Sequence, residues 1–524
     1  MNTTNHYDVN GKPYHRGLML ALSLFATFAA ALMQTSLGTA LPRLMTVFDI
    51  NLSTAQQATT WFILASAIMV PISSFLIKKF SVNQLSIMAY ICLALGVAIS
   101  VFTPAQHDMW LLFVFGRIIA ALAVGVMMPL LQIIIVNIYD AQERGTAMGL
   151  MGLVVGMAPA LGPTLTGWIL DQNHVIFGLT ISNSWRTIFY LPLAVIVIAV
   201  VLSPFLIKDV IKKEDVSLDW LSLVLSSVGF GLFLLGFTNV SSDGWGDLAT
   251  VVSPIIGGVL LIGLLVWRQL RLEDPFLDVR VFKSKRFTLT TLAMVLSTMA
   301  MMGVEMMLPT YLQNVHGLSA LDSGLTLLPG ALLMGLFSPI AGKLYEKAGI
   351  QRLTIAGFSI LAIGTIPFAF IDISTTTLTI VVMYALRMIG IALVLMPLTT
   401  EAMAALPIEK ATDGTAVNNT ARQVASSVGT AILTSITQNV INQNEPAKHL
   451  KTLNPLKYAD QYLNASMDGF RVAFIVGLGF AICGLILAFW LKSHSQRVTD
   501  GEGEHDYLGY YRAGIDLNWN DNAD

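Results

Sequence analysis

Long apolar runs separated by short polar ones fill almost the whole chain. Fourteen are long enough to cross a bilayer, which takes about 20 helical residues. They cover 18–40, 56–77, 84–102, 109–138, 147–170, 186–206, 218–239, 249–267, 288–311, 322–342, 353–371, 377–400, 415–438 and 469–491. The strict apolar/polar alternation of a membrane barrel strand is absent, so each crossing is predicted as a helix. The first run is too long for the core of a signal peptide and is followed by many more, so it counts as a span.

An even number of spans puts both termini on one side, and charge says which. Twenty-one Lys and Arg fall in the termini and the loops on that side, against four (Arg43, Lys448, Lys451 and Lys457) on the other. Basic loops stay inside, so both termini are expected in the cytoplasm of a multi-pass protein of the cell membrane. Composition agrees: 55% of residues are hydrophobic and 12% charged, where a soluble domain has about 25% charged. A net charge of −2 argues against a nucleic-acid partner. All eight histidines fall in loops or tails, which excludes a helix-borne metal site. Cys92 and Cys483 lie within spans and imply no disulfide framework. No Walker-type phosphate loop occurs, so any pumping is expected to draw on an ion gradient, with no cofactor.

The chain is written twice. Arg144-Gly145-Thr146-Ala147 returns as Asp413-Gly414-Thr415-Ala416, a shift of 269; Arg117 returns as Arg387, and Met128-Pro129-Leu130 as Met396-Pro397-Leu398. The predicted organisation is a cytoplasmic N-terminus (1–17), a six-helix bundle (18–206), two inserted helices with charged linkers (207–286), a second six-helix bundle (287–491) and an acidic tail (492–524). Facing repeats are the usual architecture of a transporter, with the binding site between them. The inserted spans carry only Asp219 at a boundary, so they read as bracing or lipid-facing helices.

Gly156, Pro159, Gly162, Pro163 and Gly167 crowd the fifth span. The prolines delete backbone hydrogen bonds and the glycines admit a close neighbour, as a helix that bends and packs tightly requires. This segment resembles the antiporter motif of the drug:proton antiporters of the major facilitator superfamily. Arg117 with Ala120, Ala121, Ala123 and Gly125 is similar to a second motif of that group. Gly342-x-Leu-x-Glu346-Lys347-x-Gly349-x-x-Arg352 resembles its loop motif, and Asn418-Asn-Thr420-x-Arg422-Gln423 resembles the thirteenth-helix signature of the fourteen-span branch. Within that branch, Gln34 to Pro42 and Pro71 to Phe80 are similar to the lincomycin-resistance type of multidrug exporter. The resemblance covers about 18–491 and implies the facilitator fold: an all-α protein of two six-helix bundles plus two inserted helices.

Two features depart from the family pattern. Met33 and Gln34 stand where many members carry a first-span Asp, so that proton carboxylate does not carry over. Ser74, Lys78 and Ser81 replace Gly, Asp and Gly of the first loop motif, which puts the latch of the first half in question.

Glu305 is the one carboxylate well inside a span, between Met301-Met302 and Met306-Met307. A charge at mid-membrane costs about 2.5–3.5 kcal/mol on the translocon scale, so such a residue is a functional candidate by default. An apolar setting disfavours the ionised form, so the group can hold a proton and release it to water. The competing reading is a rim charge or structural ion pair near the outer mouth. Glu401, at the end of span twelve, is a second proton candidate, and the resemblance implies that Arg117 assists proton coupling. Arg387 reads equally as an anchor, and Arg422 as a structural residue satisfied by Asn418, Asn419 and Gln423. Asp171 and Arg186 either pair as an outer gate or mark the interface. Candidates for the cargo lining, from pattern and resemblance, are Gln34, Thr35, Gln132, Met301, Met302 and Glu305.

The expected function is proton-coupled export of lipophilic, often cationic drugs by a monomer that alternates between two open states. The alternative is the same fold moving one dedicated lipid, peptide or metabolite.

Overall fold

The structure, a computed structural model, describes residues 6–491 except 51, 177–178, 214–215, 217–218, 274, 276 and 448–452. The tail 492–524 lies outside the described residues. Thirteen helices among those described are long and apolar enough to span a membrane. One of them, Leu321–Phe370, is 50 residues long. At 1.5 Å per residue it would measure about 75 Å, far beyond a hydrocarbon core of about 30 Å. It is two spans joined at Gly349, whose φ of 74° and ψ of 166° break the helix. A side chain at Gly349 would be strained in that left-handed region, which is why glycine punctuates the turn. The protein is thus the fourteen-span all-α membrane protein expected.

The helices are α1 (Arg16–Thr35), α2 (Leu37–Phe48), α3 (Leu52–Lys79), α4 (Val82–Phe102), α5 (Trp110–Ile138), α6 (Ala141–Asp171) and α7 (Thr187–Leu206). There follow α8 (Trp220–Asp243), α9 (Ser253–Gln269), α10 (Lys285–Asn314), α11 (Ala320–Thr365), α12 (Thr377–Ala404), α13 (Ala411–Asn444) and α14 (Pro455–Ala488). The first span is broken: α1 ends at Thr35 and α2 carries the chain on past the predicted limit to Phe48. Polar side chains start the helices where the pattern turns apolar. Ser81, Ser284, Ser319 and Thr376 each accept a hydrogen bond from the backbone N–H three residues on. These caps satisfy donors that the first turn leaves free.

Two apolar cores form, one centred on α1 and α3–α7, the other on α10–α14. The first also takes in Phe287, Met403, Ala411 and Val417 of the second half, so the halves are joined at the face where α1 begins. That face carries Arg16, Lys78, Lys79, Arg144 and Lys410 and is called the basic face below; the opposite one is the far face. Between the halves lies the inserted pair α8–α9. Leu234 packs on Leu64 and Ala67 of α3, while the α8–α9 clusters take in Val424 and Ala431 of α13. The hairpin therefore covers the α3–α13 seam, and α9 is the least buried span.

At the far face the repeat is visible in backbone capping. Arg186 donates to the carbonyls of Val101 and Thr103, both at 2.8 Å, and Arg471 donates to Ile371 at 2.8 Å. Arg186 thus staples the end of α4 rather than pairing with Asp171, and it stands at the interface as a structural cation.

Candidate functional site

A cavity of about 300 Å³ lies between the halves. It draws Thr35, Gly38 and Thr39 from α1–α2, Gly156 and Pro163 from α6, and Glu305, Pro309 and Gln313 from α10. From α11 come Ser323, Gly324, Leu327 and Ala331, and from α12 Tyr384 and Met388. Thr35 closes α1, Gln313 nearly closes α10 and Ser323 opens α11, which places the cavity in the half of the molecule toward the far face.

Glu305 is the one carboxylate among the described lining residues. It is half-buried, and its Oε2 is buried with no hydrogen-bond partner. Arg387 acts on it electrostatically; its Nε donates to Thr365 Oγ1 at 3.0 Å and Nη2 to the Ala300 carbonyl, while Nη1 is buried without a hydrogen-bond partner. Arg117 repeats the arrangement. It is fully buried, donates to the Met33 carbonyl at 2.8 Å and stacks 4.0 Å over Phe62. Each arginine of the fourth or twelfth span therefore ties down a carbonyl of the first or ninth span.

Of the predicted lining residues, Thr35 and Glu305 face the cavity. Gln34, Met301 and Met302 are half-buried within one turn of them and do not line it. Gln132 departs from the expectation: it is fully buried toward the basic face, where its Oε1 accepts from Asn419 Nδ2 at 2.5 Å. Asn419 in turn accepts from Arg422 at 2.8 Å, so Gln132 belongs to a polar seam between α5 and α13. Glu401 also stands apart from the cavity. It is 2% exposed, paired with Arg286, and accepts from the Tyr345 hydroxyl at 2.6 Å.

The motif residues sort by depth. Gly156 and Pro163 line the cavity, Gly162 abuts Thr35, Gly167 sits beside Leu321, and Pro159 lies in the same helix. Nearer the basic face α6 and α11 meet through their glycines. A Cβ at Gly149 would stand 2.5 Å from Pro339 Cα, and one at Gly145 would stand 2.7 Å from the Gly342 carbonyl oxygen. Glu346 Oε1 accepts from the backbone N–H and the hydroxyl of Thr146, both at 3.3 Å, while Lys347 is exposed. We expect Gly149→Leu to prevent closure here, with overpacking of about 1–3 kcal/mol shifting the equilibrium roughly 5- to 150-fold. Cross-linking between Thr146→Cys and Glu346→Cys should fall accordingly.

Ser74 and Lys78, the apparent erosion of the first loop motif, form a latch of their own. Lys78 Nζ lies 2.7 Å from Asp413 Oδ2, and Ser74 Oγ donates to Oδ1 at 2.7 Å. By the internal repeat Lys78 corresponds to Glu346 and Asp413 to Arg144. The charges of the latch are exchanged between the two halves. With the glycine contact and the Gln132–Asn419 bond, this latch closes the molecule toward the basic face beneath the cavity.

Several lining residues were not singled out from sequence. Pro309 and Gln313 follow Glu305 at i+4 and i+8, and Leu327 and Ala331 follow Ser323 in the same way, so helical periodicity was the signal. Tyr384 and Met388 bracket Arg387 and had no distinguishing mark.

A family model described as Major Facilitator Superfamily matches residues 23–430. The chain belongs to the major facilitator superfamily. It is accordingly a multi-pass membrane transporter for small molecules and not an enzyme. This facilitator is 39% identical over 492 residues to the uncharacterized MFS-type transporter YcnB of Bacillus subtilis (strain 168), covering 94% of this chain and 98% of that one. It is 35% identical over 474 residues to the lincomycin resistance protein LmrB of Listeria innocua, covering 90% and 96%. Among solved structures, the human organic anion transporter MFSD10 aligns with a TM-score of 0.60 over 90% of this chain and 99% of that one, at 13% identity. That likeness speaks for the fold alone.

Proposed function

We propose that this facilitator is a proton-coupled exporter of lipophilic, often cationic drugs. The observation that carries the reading is Glu305, a carboxylate inside the membrane, in the cavity between the halves, with one buried oxygen unpartnered. Such a group takes either a proton or a cationic cargo, and occupancy by one excludes the other. Similarity to a lincomycin resistance protein supports the drug class. The basic face is cytoplasmic, since basic loops are retained inside; the cavity then opens toward the exterior of the cell membrane.

In the cycle, cargo bound to ionised Glu305 is delivered outward. A proton from outside displaces it, the neutral site returns through the Gly145–Gly342 contact region, and water on the cytoplasmic side removes the proton. Arg117 and Arg387 hold the first and ninth spans in register during that exchange. The protein works as a monomer, and the proton gradient takes the place of a cofactor. In proteoliposomes an inwardly acidic gradient should drive uphill drug accumulation that an uncoupler collapses. Drug movement that ignores the gradient would overturn this reading.

A further inference from the structure

Among the described lining residues two buried polar atoms have no hydrogen-bond partner, Glu305 Oε2 and Ser323 Oγ. Ser323 is 1% exposed, so its hydroxyl has no water-facing alternative. A buried acceptor without a donor is unfavourable, and the imbalance is relieved by a cargo that brings the donor. Against this, the lining is poor in aromatic rings. Tyr384 is the single aromatic ring among the described lining residues; the others are glycine, proline, aliphatic, thioether, hydroxyl, amide or, at Glu305, carboxylate groups. Sites for quaternary ammonium ions work differently: they surround a charge spread over four alkyl groups with several aromatic faces and need no hydrogen bond.

From these two facts together we infer that the site selects protonated amines carrying an N–H over quaternary ammonium or phosphonium ions of the same size and lipophilicity. The inference rests on the drug-export reading above and narrows its cargo class. An N–H⁺ can donate to Glu305 Oε2 in a charge-assisted hydrogen bond, which is shorter and stronger than contact between the carboxylate and a methyl-shielded cation. Ser323 then supplies a second hydrogen bond, to an oxygen or another N–H of the cargo. A quaternary ion leaves both atoms as they are now and finds one ring to compensate. Sites built around a hydrogen bond discriminate strongly against analogues that lack it.

The test is a matched pair: a fluorescent amphiphile with a dimethylammonium head, and the same molecule with a trimethylammonium head. Both are titrated into the purified full-length protein at a pH where both are fully cationic. The tertiary amine should bind roughly ten- to hundredfold tighter, and in Glu305→Met, which keeps the volume and removes the acceptor, the ratio should fall to about twofold or less. Equal binding of the pair to the unaltered protein would overturn the inference while leaving drug export standing. So would a preference that survives Glu305→Met. Failure of either ion to bind, with no competition from other lipophilic amines, would overturn the export reading and this inference with it.

Discussion

Glu305→Gln is expected to abolish uphill, gradient-driven export while the protein still reaches the membrane at normal abundance. The amide is close to isosteric with the carboxyl, and Glu305 makes no hydrogen bond through Oε2 that the fold would lose. What disappears is the capacity to change charge. Loss of a charge-assisted interaction should weaken a cationic drug by about 1.5–3 kcal/mol, or roughly 10- to 150-fold. Downhill movement of an uncharged lipophilic compound should survive, because the cavity walls and the closing surfaces are untouched. Accumulation of labelled drug in proteoliposomes, with and without a pH gradient, checks both statements. Unchanged coupled accumulation would remove Glu305 from the mechanism. Glu401→Gln serves as the contrast. That carboxylate is already clamped by Arg286 and Tyr345 at the basic face, so its loss should lower stability and closure rather than cation recognition.

The second large effect is expected at the exchanged latch. Lys78→Glu sets a carboxylate against Asp413, which is 2% exposed and also accepts from Ser74 and from the Asp278 backbone N–H. Breaking a buried pair from one side costs about 3–5 kcal/mol, because the remaining charge stays uncompensated. The whole cost falls on the state closed toward the basic face, so the equilibrium should swing by more than about a hundredfold toward opening there. Asp413→Lys should do the same. The double variant Lys78→Asp with Asp413→Lys should restore closure, because opposite charges again face each other between α3 and α13. Spin-label distances between the ends of α3 and α13 would read the populations. A double variant no more closed than either single one would show that the pair is not the latch.

Much of this architecture was legible because the bilayer imposes a length on every apolar run. Fourteen runs and a lopsided charge distribution left little freedom in the span count, and the gap between the runs 322–342 and 353–371 falls on Gly349, inside a helix of 50 residues. Glu305 stood out because a lone carboxylate among methionines has few innocent explanations. Other features stayed hidden for physical reasons. Gln132 looks like a lining residue from sequence, since a polar side chain in a span can face cargo or another helix equally well; its partner Asn419 lies 287 residues away. Ser74 and Lys78 looked like decay of a motif because their meaning depends on Asp413. Arg117 and Arg387 each donate to a backbone carbonyl, which leaves no mark on the identity of the residue that supplies it.

The central claim is that one carboxylate trades a proton for cargo. Proton release on drug binding measures this directly: purified protein in weakly buffered detergent solution, with a pH indicator, is mixed with a saturating permanently charged or fully protonated drug. The account predicts close to one proton released per drug bound when the starting pH leaves Glu305 protonated, and none from Glu305→Gln. Stoichiometric drug binding without proton release, or release that persists in Glu305→Gln, would contradict it.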